Sequence, residues 1–152
     1  MRIPLRIVTG SVNLNVIIYS QYYHIGLAQI SFVVDTGSNE TFISEGDALR
    51  FNIPINKLPF EKHVSMAGSK FELLKAKSLI LYIKKDDNKT EKISLDHFYV
   101  ARGTKKDEKN RNLALAFPSI MGLDFLENNK FSLVVTPHKN LAYLEKEENE
   151  RL

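Results

Sequence analysis

Hydrophobic and polar positions alternate along most of this chain. Between Leu5 and Tyr19, Val12, Leu14, Val16 and Ile18 share one side of an extended backbone, and Thr9-Gly10-Ser11 forms a turn before them. Two short strands are predicted there, because successive side chains of a strand point to opposite faces. Gln21-Tyr22-Tyr23-His24 is a polar, aromatic connection, and a second long strand runs from Ile25 to Val34 and ends at Asp35. Ser44 to Phe51 is predicted as one or two helical turns, with Ser44 as N-cap and Asp47 completing an imperfect capping box. Pro54 and Pro59 then stop regular structure. Val64 to Ile83 is a hairpin turning at Ala67-Gly68-Ser69, and the mixed-charge run Lys84 to Lys89 is a solvated hairpin end. Ile93 to Val100 alternates again, with Ile93, Leu95 and either His97 or Phe98 inward.

Arg102 to Asn112 is polar and charged and is expected to be a long exposed loop. Leu113 to Phe117 and Ile120-Met121 are predicted as buried strand, followed by a turn at Gly122 and a short helix over 124–129. Asp124 stands near the start of that helix, where negative charge is favoured. Phe131 to Val135 and Leu141 to Tyr143 make a last hairpin, and the charged tail 145–152 is expected to fray. Short strands with one or two short helices indicate a mostly β fold, a closed or nearly closed β-barrel. No repeat or low-complexity linker divides residues 1–152, so a single domain is expected.

Composition narrows the function classes. Of 152 residues, 43% are hydrophobic, enough for a sizeable core. Lys and Arg number 21 against 18 Asp and Glu, a surplus of three that is too small to argue for a nucleic-acid partner. Cysteine is absent, which removes disulfides and thiolate metal sites and agrees with a reducing compartment. Asn13 and Asn15 break the apolar stretch that a signal sequence would need, and no apolar run approaches membrane-spanning length. A soluble cytoplasmic protein without a membrane partner is expected. His24, His63, His97 and His138 show no paired-ligand spacing, so no metal and no cofactor are expected. Neither a nucleophile elbow nor a Gly-rich phosphate loop is present.

The chemistry concentrates at Phe32-Val33-Val34-Asp35-Thr36-Gly37-Ser38. An apolar run delivers one carboxylate into a tight turn, a costly placement unless hydrogen-bond donors or a function accompany it. Thr36, Gly37 and Ser38 could each supply such a donor: Thr36 and Ser38 offer hydroxyls within reach of the carboxylate, and Gly37 lets the backbone approach it closely.

This stretch resembles the active-site motif of aspartic proteases, two apolar residues followed by Asp-Thr-Gly-Ser. Downstream, Ile120-Met121-Gly122 leading into Leu123-Asp124-Phe125 resembles the family's second hallmark, and the hairpin turn at Met66, Ala67, Gly68 and Ser69 falls where the family places its flap. The resemblance spans about residues 25–144. With one Asp-Thr-Gly, the chain resembles the single-lobe, retropepsin-like branch. The resemblance implies a retropepsin-like barrel, Asp35 as the catalytic residue, and Thr36, Gly37 and Ser38 as the active-site turn. It implies Met66 to Ser69 as a substrate-covering flap, and Ile120, Met121 and Gly122 as structural support beneath the turn. It further implies an aspartic endopeptidase acting on polypeptides as a homodimer, since one chain supplies only one carboxylate of the required pair. Leu123 departs from the Arg that often follows the Gly in viral members, and the charged tail departs from their apolar terminal strand.

Two other readings compete. One is a retropepsin-like fold kept as a non-catalytic binding or dimerisation module. The other is a small basic barrel that binds nucleic acid through Lys84, Lys85, Lys105, Lys106 and Lys109, which lacks the interleaved aromatic platform of such binders.

Overall fold

The computed structural model describes residues 1–66, 68–104 and 108–147. Ala67 of the hairpin turn, Lys105 and Lys106 of the basic cluster, and residues 148–152 of the tail lie outside the described residues. Among the described residues there are eleven strands, β1 (Arg2–Pro4), β2 (Arg6–Val8), β3 (Ser11–Ser20), β4 (Ile25–Val34), β5 (Phe42–Ile43), β6 (Phe60–Met66), β7 (Ser69–Lys84), β8 (Thr90–Gly103), β9 (Ser119–Met121), β10 (Ser132–Thr136) and β11 (Leu141–Glu145). Three short α-helices join them among the described residues, α1 (Glu45–Arg50), α2 (Glu108–Ala116) and α3 (Leu123–Asn128), one more than the sequence pattern indicates.

Six strands close into a barrel. The order β3-β4-β9-β5-β8-β7 returns to β3 through an additional β3–β7 pairing, with β2 and β6 attached at its margins. Two of these contacts, β4–β9 and β5–β8, are parallel. The barrel core holds Leu14, Val16 and Ile18 of β3 with Ile30, Phe32 and Val34 of β4, the alternation read from the sequence. The long strand β7 changes face twice. Leu73 and Leu74 are adjacent yet both buried, Leu74 in the barrel core and Leu73 in a smaller cluster with Phe42, Ala101 and Ile120. At Ser78 the backbone adopts a left-handed φ of 59°, and the buried positions shift from Ala76 to Leu79, Leu81 and Ile83. The facing strand β8 shifts with it, which places Phe98 inside and His97 outside.

The structure corrects the reading of residues 102–117. Instead of a loop followed by buried strand, β8 continues to Gly103 and α2 covers Glu108–Ala116. The Leu-Ala-Leu-Ala alternation imitates a strand, but Glu, Lys, Arg, Leu and Ala are all good helix formers, and the helix buries Ala114 while exposing Leu113 and Leu115. The tail is also corrected at its start. Glu145 pairs with Arg2, and the Lys146 N–H donates to the Met1 carbonyl at 2.9 Å, so β11 lies between β1 and β10 in a separate three-stranded sheet. Ser44 caps α1 as expected, its hydroxyl accepting from the Asp47 N–H at 3.2 Å. The Asp47 carboxylate does not return to the Ser44 N–H, which donates to the Ser119 hydroxyl instead, while Ser119 donates to Asp47 at 2.6 Å.

Candidate active site

Asp35 follows β4 directly and begins a tight turn in which the Ser38 N–H donates to the Asp35 carbonyl at 3.1 Å. Asp35, Thr36 and Gly37 are all solvent-exposed at the surface of this chain. The Gly37 N–H donates to Asp35 Oδ1 at 2.9 Å, and a Cβ at Gly37 would lie 3.1 Å from that same oxygen. A residue larger than glycine therefore presses on the carboxylate that its own backbone holds. Of the three residues expected to offer donors, Gly37 supplies this one, whereas the Ser38 hydroxyl donates to the Glu40 carbonyl at 2.8 Å. A backbone amide supplies the donor because the turn brings residue 37 back over residue 35, as Asp side chains commonly arrange in turns.

The turn is tied to the junction of β9 and α3. The Asp35 N–H donates to the Met121 carbonyl at 3.0 Å, the Leu123 N–H to the Ser38 carbonyl at 2.8 Å, and the Asp124 N–H to the Asn39 carbonyl at 3.1 Å. Gly122 is needed for this approach, since a Cβ there would meet the Glu40 and Ser38 carbonyl oxygens at 2.5 and 2.6 Å. Thr41 completes the tie. Its hydroxyl donates to Asp124 Oδ1 at 2.5 Å and accepts from the Gly122 N–H at 2.9 Å, while its own N–H donates to Asp124 Oδ2 at 3.1 Å. Thr41 is not among the site residues expected from the sequence. The signal available was an Asp at the first turn of a helix opposite a Thr six residues after Asp35, but nothing in the spacing joined two sites 83 residues apart.

Over the turn lies a cleft of about 640 Å³. Asp35, Gly37 and Glu40 line one side, Val64 and Met66 of β6 face them, and Phe117 and Ile120 add apolar surface. The β6–β7 hairpin brings Met66 opposite Ser69, with Gly68 at a left-handed φ of 75°. Its first arm is joined to the region of the Asp35 turn by Lys62, whose ammonium lies 2.8 Å from Glu40. The hydrogen bond to Glu40 raises the Lys62 pKa above the usual lysine value. At this exposure the pair contributes at most about 1 kcal/mol. The second arm is joined to β8 by Arg102, which donates to Glu72 at 2.6 and 3.0 Å. Among the described residues no three His, Asp or Glu side chains cluster as metal ligands would, and no helix is long and apolar enough to cross a membrane.

Among solved structures, the chain is similar to a retropepsin-like aspartic protease from Rickettsia conorii, with a TM-score of 0.59 over 94% of this chain and 98% of that one. The fold is retropepsin-like. Sequence identity across that match is 17%, so the likeness is one of architecture. A further match, at a TM-score of 0.44 and 14% identity, is the retroviral protease-like domain of Ddi1 from Leishmania major, over 91% of this chain and 97% of that domain. No family model matches the sequence, and no curated protein matches it at a significant level.

Proposed function

We propose that this chain is an aspartic endopeptidase that hydrolyses polypeptides as a homodimer, working in the cytoplasm. The observation that carries the reading is a single exposed carboxylate, Asp35, presented by a turn at the edge of a peptide-sized cleft in a retropepsin-like barrel. Hydrolysis by this route takes two carboxyls at one water, one ionised to accept its proton and one protonated to donate to the substrate carbonyl. Two carboxyls about 3 Å apart share one proton because both cannot readily ionise. Two copies of Asp35 meeting on a two-fold axis meet that requirement, with Thr36 facing the partner's turn and the Gly37 N–H keeping each carboxylate oriented. Residues Met66 to Ser69 then act as the flap over an extended peptide, and Ile120, Met121 and Gly122 hold the turn from beneath.

The deciding experiment is digestion of a denatured protein mixture at roughly pH 4 to 6, where a carboxyl pair can share a proton. Cleavage that stops on adding a transition-state peptide inhibitor of aspartic proteases is expected. A stable dimer that cleaves nothing across that range would overturn the enzymatic reading and leave a binding or dimerisation module.

A further inference from the structure

A second pocket lies beside the segment that borders the cleft. Glu40 and Phe42 line the cleft, whereas Thr41 between them lines a cavity of about 440 Å³ formed by β8 and α3. Its walls include the apolar side chains of Leu95, Phe98 and Phe125, and its polar members include Lys75, Ser94 and His97. Cavities of about 300 to 1,000 Å³, mostly apolar with a few polar groups that set orientation, are typical of small-molecule sites.

The polar groups select the charge of a ligand. Asp124 is the one carboxylate lining the pocket, and both its oxygens are committed. Oδ1 accepts from the Thr41 hydroxyl and the Phe125 N–H, and Oδ2 accepts from the Thr41 N–H. Among the described residues, none of the ion pairs involves Lys75. The residues lining the cavity thus include a lysine, a histidine, a serine and the neutral Tyr99, Asn128 and Asn129, while its single carboxylate is occupied within the protein. That balance favours a ligand with an acceptor-rich, negative head and an apolar body.

We propose that this pocket binds a small apolar carboxylic acid, its hydrocarbon against Leu95, Phe98 and Phe125 and its carboxylate toward Lys75, Ser94 and His97. The site stands apart from the hydrolytic reading, because neither Asp35 nor the cleft takes part in it. It does share Thr41 and Asp124 with the tie that holds the Asp35 turn.

The test is titration of the isotope-labelled full chain by nuclear magnetic resonance with octanoate, octanol and octylamine. Octanoate is expected to shift the amides of residues 93–99 and 123–129 saturably, and to bind about tenfold or more tighter than either analogue, the scale of a charge-assisted contact. Lys75→Glu is expected to weaken octanoate by at least a similar factor and His97→Ala by less. Lys75→Met serves if the charge reversal disturbs folding. Asp35→Asn is expected to leave octanoate binding unchanged whether or not the chain is a protease. Equal affinity for the three probes, shifts confined to residues 35–42 and 64–66, or indifference to both Lys75 variants would overturn the proposal. So would binding of a short peptide through its free terminal carboxylate when octanoate does not bind, which would assign the pocket to a peptide end.

Discussion

At Asp35 a carboxylate sits exposed, outside the core, on a turn whose Gly37 N–H donates to Oδ1. Replacing it with Asn keeps the size and the Gly37 contact but removes the base that the hydrolytic proposal requires. Asp35→Asn is expected to abolish proteolysis while the fold and any dimer persist, and peptide hydrolysis within tenfold of the parent chain would show that the wrong residue has been assigned. Thr41 offers a different kind of test. Its hydroxyl both donates to Asp124 and accepts from the Gly122 N–H. Thr41→Val leaves the part-buried Asp124 carboxylate and the Gly122 N–H short of partners, which costs about 1 to 3 kcal/mol. Urea denaturation is expected to show that loss, and an unchanged midpoint would remove Thr41 from the tie.

Among the elements, the β9–α3 junction and the β6–β7 hairpin behave oppositely. The junction is packed without space. Gly122→Ala places a methyl against two carbonyl oxygens and is expected to destabilise by about 1 to 3 kcal/mol, as overpacking does. Gly26→Ala, where nothing lies within 4 Å, is the near-neutral control. Equal denaturation midpoints for the two variants would contradict the close approach. The hairpin instead projects from the barrel, with His63 and Ser65 exposed and Val64 and Met66 half-buried over the cleft. If it closes over peptide, hydrogen exchange across residues 64–71 slows when a peptide inhibitor binds. Gly68→Val, at a left-handed φ, is then expected to lower turnover more than stability. Exchange unchanged by inhibitor would end the flap assignment.

For the whole molecule, the hydrolytic proposal needs two chains. Monomers are therefore expected to be inactive though folded, and activity per chain is expected to fall on dilution through the dimer dissociation constant, as mass action requires. Excess Asp35→Asn chains are expected to suppress parent activity by forming mixed dimers with one carboxylate. Light scattering alongside hydrolysis measures both. A monodisperse monomer of constant specific activity would refute the shared site.

The chain's own pattern determined its strands, the Ser44 cap and the turn at Asp35, because alternation, capping and turn chemistry act between residues a few positions apart. The same locality explains the misreading of α2, where a four-residue alternation outweighed helix propensity until burial of Ala114 against the barrel selected the helix. Whether His97 or Phe98 lies inside depended on the left-handed kink at Ser78 in the facing strand, which no pattern within β8 records. The tie through Thr41, Gly122 and Asp124, and the cavity beside it, join segments more than 80 residues apart. Only closure of the barrel brought them together, since β4 and β9 must pair in parallel before residues 38–41 can meet the start of α3.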